Sequence, residues 1–153
     1  MSALETRFPP VILALCFSGL MWLLDSFVPS LRFALPGRAM IAILAALFGA
    51  LVGLLGVAEF RRARTSVNPL RPGVADSLVT SGIFRRTRNP MYLGLFFGLL
   101  AWGLWLGNAA SLTLLPLFVA YMNRFQIGPE ESVLENGFSA EFNEYRRRVR
   151  RWL

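Results

Sequence analysis

The sequence predicts an all-α integral membrane protein: about four transmembrane helices, the last two a tight hairpin, then a C-terminal amphipathic helix. Three observations carry this. Of the 153 residues, 55% are hydrophobic and only 16% charged, against about a quarter charged in soluble domains, and mean hydropathy is +0.51. Long uncharged runs recur along the chain. The sixteen basic residues, all of them Arg, collect between and after those runs. The length suits a single domain over residues 1–153.

The first uncharged run, residues 8–24, ends at Asp25, and Phe27 and Val28 extend its apolar character, so a span is expected over about 8–28. A cleaved signal peptide would need a small-residue cleavage site before Asp25, which the run lacks. The second run, residues 39–58, lies between Arg38 and Glu59. As a helix its 20 residues are about 30 Å long, the thickness of a hydrocarbon core. Residues 89–123 form 35 consecutive uncharged positions, too long for one crossing. Gly107-Asn108 is a turn signal that divides them into spans at about 91–106 and 109–125. Gly49 and Gly53, Gly94 and Gly98, and Gly103 and Gly107 are each four apart. That spacing suits close helix packing, within the chain or between copies in a homo-oligomer.

Arg placement predicts orientation. The loop expected over residues 59–90 carries Arg61, Arg62, Arg64, Arg71, Arg85, Arg86 and Arg88, and the tail carries Arg146, Arg147, Arg148, Arg150 and Arg151. The positive-inside rule makes that loop and both termini cytoplasmic, in a multi-pass protein of the inner membrane. Topology accounts for the pI of 11.2, so no nucleic-acid partner is expected. Leu134, Phe138, Phe142, Tyr145, Val149 and Trp152 recur at helical intervals and predict the amphipathic helix, residues 129–152, on the membrane surface or folded back over the hairpin.

The residue inventory excludes much chemistry. One Cys and no His remove disulfides, structural zinc and His-based triads, and no metal site is expected. No G-x-G spacing occurs, so glycine-rich phosphate cradles are absent. Asp25 and Glu59 stand at span ends rather than mid-membrane, where a small transporter would need an ionisable group.

Two polar constellations exceed what topology needs. One runs from Asp76 and Ser77 through Leu78, Val79 and Phe84 to Arg88, Asn89, Pro90, Met91 and Tyr92. Asn89-Pro90 breaks the chain and starts a helix whose free N–H groups can meet an anion. The other is Gly128-Pro129-Glu130-Glu131. Pro followed by acids is also how an ordinary helix begins, and neighbouring glutamates do not share a helix face.

Together these stretches resemble the isoprenylcysteine carboxyl methyltransferase and phospholipid methyltransferase family. Ser81-Gly82-Ile83-Phe84 followed by Arg88-Asn89-Pro90-Met91-Tyr92-Leu93-Gly94 looks like the first half of its signature. Glu130-Glu131, Leu134, Phe138-Ser139, Phe142, Tyr145, Val149 and Arg151-Trp152 look like the second. The match covers roughly residues 68–152. The isoprenylcysteine enzymes have His at Asn89, Gly at Ser139 and Tyr at Phe84 and Phe142, and their substrate-contacting Arg falls at Gln126.

The resemblance implies methyl transfer from S-adenosylmethionine, held in a membrane-edge pocket without a glycine-rich loop. It implies a cofactor site of Asp76, Ser77, Leu78, Val79, Phe84, Asn89, Pro90, Met91, Tyr92, Glu130 and Glu131, with Glu130 ahead of Glu131. It makes Glu130 and Arg88 the catalytic pair, and Gln126 with Arg124 the acceptor contacts. The expected acceptor is lipophilic, an amine lipid or an isoprenoid or other lipophilic carboxylate or thiol, entering from the bilayer. The rival readings are a nicotinamide-dependent membrane reductase of similar architecture and a small non-enzymatic transporter or partner.

Overall fold

The computed structural model describes residues 9–63 and 78–153, so Asp76, Ser77 and the middle of the expected central loop lie outside the described residues. Those that are described are mainly helical and contain no strand, only an isolated antiparallel bridge between Arg32 and Asn108. Two helices are long and apolar enough to cross a membrane: α1, Pro10–Phe27, and α2, Arg38–Arg62. α1 starts with Pro at its first turn, where the missing N–H costs nothing, and Pro29 follows its end. α2 runs to Arg62, so Glu59 and both following arginines belong to the helix rather than to the expected loop.

These helices are inside out by soluble standards. Ile12, Leu15, Trp22 and Phe27 of α1 and Met40, Leu44, Leu47, Leu51 and Leu54 of α2 are exposed, while Gly49, Val52 and Gly56 are buried. A continuous apolar exterior is stable where the surrounding medium is lipid.

α3, Pro90–Leu106, is a 17-residue apolar helix that packs against both. It lies closest to α2 at Gly49, Gly53 and Gly94. A Cβ on Gly49 would sit 2.8 Å from the Gly94 carbonyl oxygen, and one on Gly94 would sit 2.7 Å from that of Gly49. Of the spaced glycines, these three lie where α2 and α3 cross. Gly98 faces open space, Gly103 meets Met21 and Leu112, and Gly107 makes the expected turn in the left-handed region, at φ 67°.

The return segment is not the single helix 109–125 that was expected. It comprises α4, Ala109–Leu112, then α5, Leu114–Tyr121, a π-helix over Met122–Ile127, and α6, Gly128–Gly137. Two prolines explain the interruptions. Pro116 has no N–H for the Leu112 carbonyl, and Pro129 none for that of Phe125, so the ladder yields at Thr113 and widens before Pro129. Met21, Phe118, Met122 and Ile127 form the fully buried centre, with Phe17 edge-on to Phe118 at 5.4 Å.

The C-terminal helix, expected as one element over 129–152, is also divided. After Gly137 the chain turns at Phe138 (φ −130°, ψ 36°), α7 runs over Ser139–Arg148, and Val149 is extended. The apolar stripe is therefore shared between two clusters. Phe142, Tyr145 and Val149 pack with Val79 and Phe84, while Trp152 joins the main core against Phe96.

Candidate functional site

At the Arg-rich end of the bundle, four segments converge. Glu59, near the end of α2, accepts from Ser81 Oγ at 2.7 Å and from Arg62 at 3.0 Å. Its carboxylate lies against Gly82, whose φ of 56° and close approach both require the absence of a side chain. The 3-10 turn Gly82–Arg85 directs Phe84 inward, edge-on to Phe60 at 5.2 Å. Tyr145 Oη of α7 donates to the Phe84 carbonyl at 2.7 Å.

The last residues form a strap across the start of α3. The Arg151 carbonyl accepts from Asn89 Nδ2 at 2.9 Å and from Thr87 Oγ1 at 3.3 Å, and Arg88 N–H donates to the Arg150 carbonyl at 3.0 Å. Trp152 Nε1 donates to Asn123 Oδ1 in the π-helix at 3.0 Å.

Between these segments lies a cavity of about 120 Å³. Its floor is the first turn of α3, where Met91 and Tyr92 N–H groups have no partner within the helix. Phe60, Phe84, Phe142 and Tyr145 supply aromatic walls, with Leu78, Val79 and Leu134. Arg88, Glu130 and Glu131 supply the charge.

The two glutamates part as neighbours on a helix must. Glu130 Oε1 accepts from Tyr92 Oη at 2.5 Å. Burial pushes its pKa up from 4.5 to about 7, the Tyr92 hydrogen bond opposes this, and the charge of Glu131 adds to it. Glu131 instead bridges two guanidiniums, Arg88 at 2.8 Å and Arg151 at 2.5 Å. Arg88 also donates to the Arg146 carbonyl at 3.2 Å, but its buried Nε has no partner among the described residues. The Tyr145 phenol is pushed above its ordinary pKa by burial, against the opposing charge of Arg88.

The structure thus brings Leu78, Val79, Phe84, Arg88, Asn89, Pro90, Met91, Tyr92, Glu130 and Glu131 to one cavity. It does not bring Gln126 or Arg124 there: Gln126 is fully buried in the π-helix and Arg124 is exposed. Sequence reasoning did not single out Phe60, Leu134, Phe142 and Tyr145 as lining residues. The last three were visible as an apolar stripe, whose spacing gave a helix face but not what it covers. Phe60, one residue before the Arg pair, carried no signal.

The phospholipid methyltransferase family profile matches residues 38–141. An uncharacterized protein of Haemophilus influenzae is 48% identical over 63 residues, which cover 41% of this chain and all of that protein. No solved structure matches the chain.

Proposed function

From the premise that this chain belongs to the phospholipid methyltransferase family, a family of membrane methyltransferases, we propose that it transfers a methyl group from S-adenosylmethionine to a lipophilic acceptor reaching the cavity from the bilayer. The observation that carries the reading is the cavity itself. One partly buried carboxyl with a raised pKa, the α3 N-terminus and four aromatic walls meet where the membrane-length helix α2 ends.

The donor set fits the cofactor. The free N–H groups of α3 and the unpartnered Nε of Arg88 suit its carboxylate. Glu130 can accept from its α-amino group or ribose hydroxyls, and Phe84, Phe142 and Tyr92 offer aromatic faces to adenine or to the cation. S-adenosylmethionine supplies a methyl carbon already activated by a sulfonium. The protein's work is then to exclude water and position the acceptor. For an amine acceptor, Glu130 is the proton acceptor, because its partner Tyr92 already donates and its pKa of about 7 matches the task. Glu131, tied between Arg88 and Arg151, orients Arg88 instead. An amine lipid leads a carboxylate or thiol as acceptor, since neither of those needs a base. Four crossings, with the loop and both termini cytoplasmic, complete the proposal and put the cavity on the side of the soluble cofactor.

Calorimetric titration of the purified protein with S-adenosylhomocysteine and with NADPH tests it. S-adenosylhomocysteine should bind with micromolar affinity and NADPH should not. The reverse would replace the methyltransferase reading by the reductase one.

A further inference from the structure

On the far side of Glu131 lies a second, larger cavity of about 580 Å³. Six arginines, Arg88, Arg146, Arg147, Arg148, Arg150 and Arg151, surround it, with Glu131 the single acid in its wall. Glu131 is used up by Arg88 and Arg151. Arg146 and Arg148 reach only exposed carboxylates, Glu135 at 3.8 Å and Glu144 at 3.4 Å, and such surface pairs hold their partners weakly. Arg147 and Arg150 pair with no carboxylate among the described residues.

Membrane orientation accounts for the number of these charges but not for their convergence. Arg61, Arg62, Arg85 and Arg86 serve topology equally well and line no part of this bowl. Guanidinium groups arranged around a concavity are the geometry that binds a tetrahedral oxyanion, because each planar fork can meet two oxygens. The setting indicates where the oxyanion comes from. The strap that carries Arg150 and Arg151 continues into Trp152, whose ring packs on Phe96 of α3 and whose N–H is tied to Asn123. Arg88, which lines the bowl, stands two residues before Pro90, the start of the apolar helix α3, where a membrane-embedded helix meets its polar boundary. The bowl therefore sits at headgroup depth, where arginine clusters gather anionic lipids.

We propose that this bowl is a binding site for the phosphate diester of an anionic phospholipid headgroup, separate from the aromatic cavity behind Glu131. It does not depend on the methyl-transfer reading. Arg88 and Glu131 line both cavities, so a headgroup in the bowl adds a negative charge beside the pair that forms the shared wall.

Native mass spectrometry of the full chain in neutral detergent tests the proposal with dioctanoyl phosphatidylglycerol, dioctanoyl phosphatidylcholine and inorganic phosphate as probes. The wild type should hold phosphatidylglycerol at least about tenfold more tightly than phosphatidylcholine. R147Q/R148Q/R150Q should lose that preference, and R61Q/R62Q should keep it. The single exposed change Arg147→Gln, which leaves every described ion pair in place, should weaken the phosphatidylglycerol adduct by about threefold. Equal retention of the two lipids, or a preference unchanged in the triple variant with its thermal unfolding intact, overturns the site. Binding of inorganic phosphate that phosphatidylglycerol cannot displace overturns the lipid source.

Discussion

The bundle has a polar cluster at each end, and the two are built to opposite rules. At the end away from the cavity, Asp25 accepts both prongs of Arg32, at 2.8 and 2.7 Å, and a third hydrogen bond from Asn108 Nδ2 at 3.1 Å. Asn108 also donates to the Val28 carbonyl at 2.8 Å and caps the next helix through Ala110 N–H at 2.9 Å. Arg38 closes over Gly107 and reaches the Phe33 carbonyl at 3.2 Å. Among the described residues no buried side-chain polar atom there lacks a partner, and none of these residues lines the aromatic cavity or the arginine bowl. At the other end, among the described residues, Glu130 has one hydrogen-bond partner and a raised pKa, Arg88 has a buried Nε with none, and both line the cavity. Satisfied charges clasp helices together. Charges left partly unanswered beside a cavity are available for chemistry.

The sharpest break in that comparison is Glu130→Gln. Methyl transfer to an amine acceptor should fall by about 100-fold or more, as loss of a positioned base does, measured with tritiated S-adenosylmethionine and organic extraction. Stability should move the other way. The folded state holds the Glu130 proton more tightly than the unfolded chain, so its carboxyl opposes folding increasingly from pH 4.5 to about 7. By pH 8 the full cost of about 3 kcal/mol applies, and the neutral variant escapes it. Its Tm should exceed the wild-type Tm at pH 8 and match it near pH 4. Glu131→Gln should instead destabilise by about 3 kcal/mol, because Arg88, 9% exposed, loses its carboxylate. Equal loss of activity without loss of Tm in Glu131→Gln would reverse the assignment of the two neighbours.

Asn108→Ala breaks the closed end. It strips the Val28 carbonyl and the Ala110 N–H of their partner inside a fully buried site, at about 2 kcal/mol. Denaturant unfolding should show the loss, while S-adenosylhomocysteine affinity per folded molecule stays unchanged. A change in that affinity would mean that the two ends are coupled through α3.

Legibility in the sequence follows the same division. The two membrane-length helices were readable because a lipid exterior demands uncharged runs, and the Gly107-Asn108 turn because such residues favour it. Most of the cavity lining was readable from two motifs. The interruption at Thr113 did have a signal, because Pro116 stands inside the expected helix 109–125, whereas the widening over Met122–Ile127 did not, since Pro129 sits at a helix start, where proline is ordinarily harmless. The split at Phe138 was hidden by a stripe whose period continues through it although the helix does not. The Asp25–Arg32–Asn108 clasp joins residues up to 83 positions apart, and no local pattern encodes that distance.

Tyr92→Phe sharpens the contrast with a smaller effect. The Tyr92 hydroxyl stabilises the Glu130 carboxylate, so its removal leaves burial less opposed and raises the Glu130 pKa further above 7. With an amine acceptor, the rising limb of the pH–rate profile should move to higher pH by roughly one unit. At pH 9 the variant should recover most of the wild-type rate. A profile that keeps its position would mean that Glu130 does not accept the proton.

The smallest expected effect tests whether the open end is held by polar bonds at all. Tyr145 Oη donates to the Phe84 carbonyl at 2.7 Å, joining α7 to the turn that carries Phe84 into the cavity. The ring itself is 5% exposed and packs with Phe142, Val79 and Val149, which Phe would do equally well. Tyr145→Phe therefore subtracts one hydrogen bond and leaves the apolar contacts, at about 1 kcal/mol. The matching loss in Asn108→Ala is larger because two backbone groups are orphaned there rather than one. If Tyr145→Phe costs as much as Asn108→Ala in the same denaturant series, the turn is clasped as tightly as the far end, and the distinction between the ends rests on Glu130 and Arg88 alone. If it costs about half as much, the cavity wall is an apolar assembly that can part to admit a ligand without breaking a polar network.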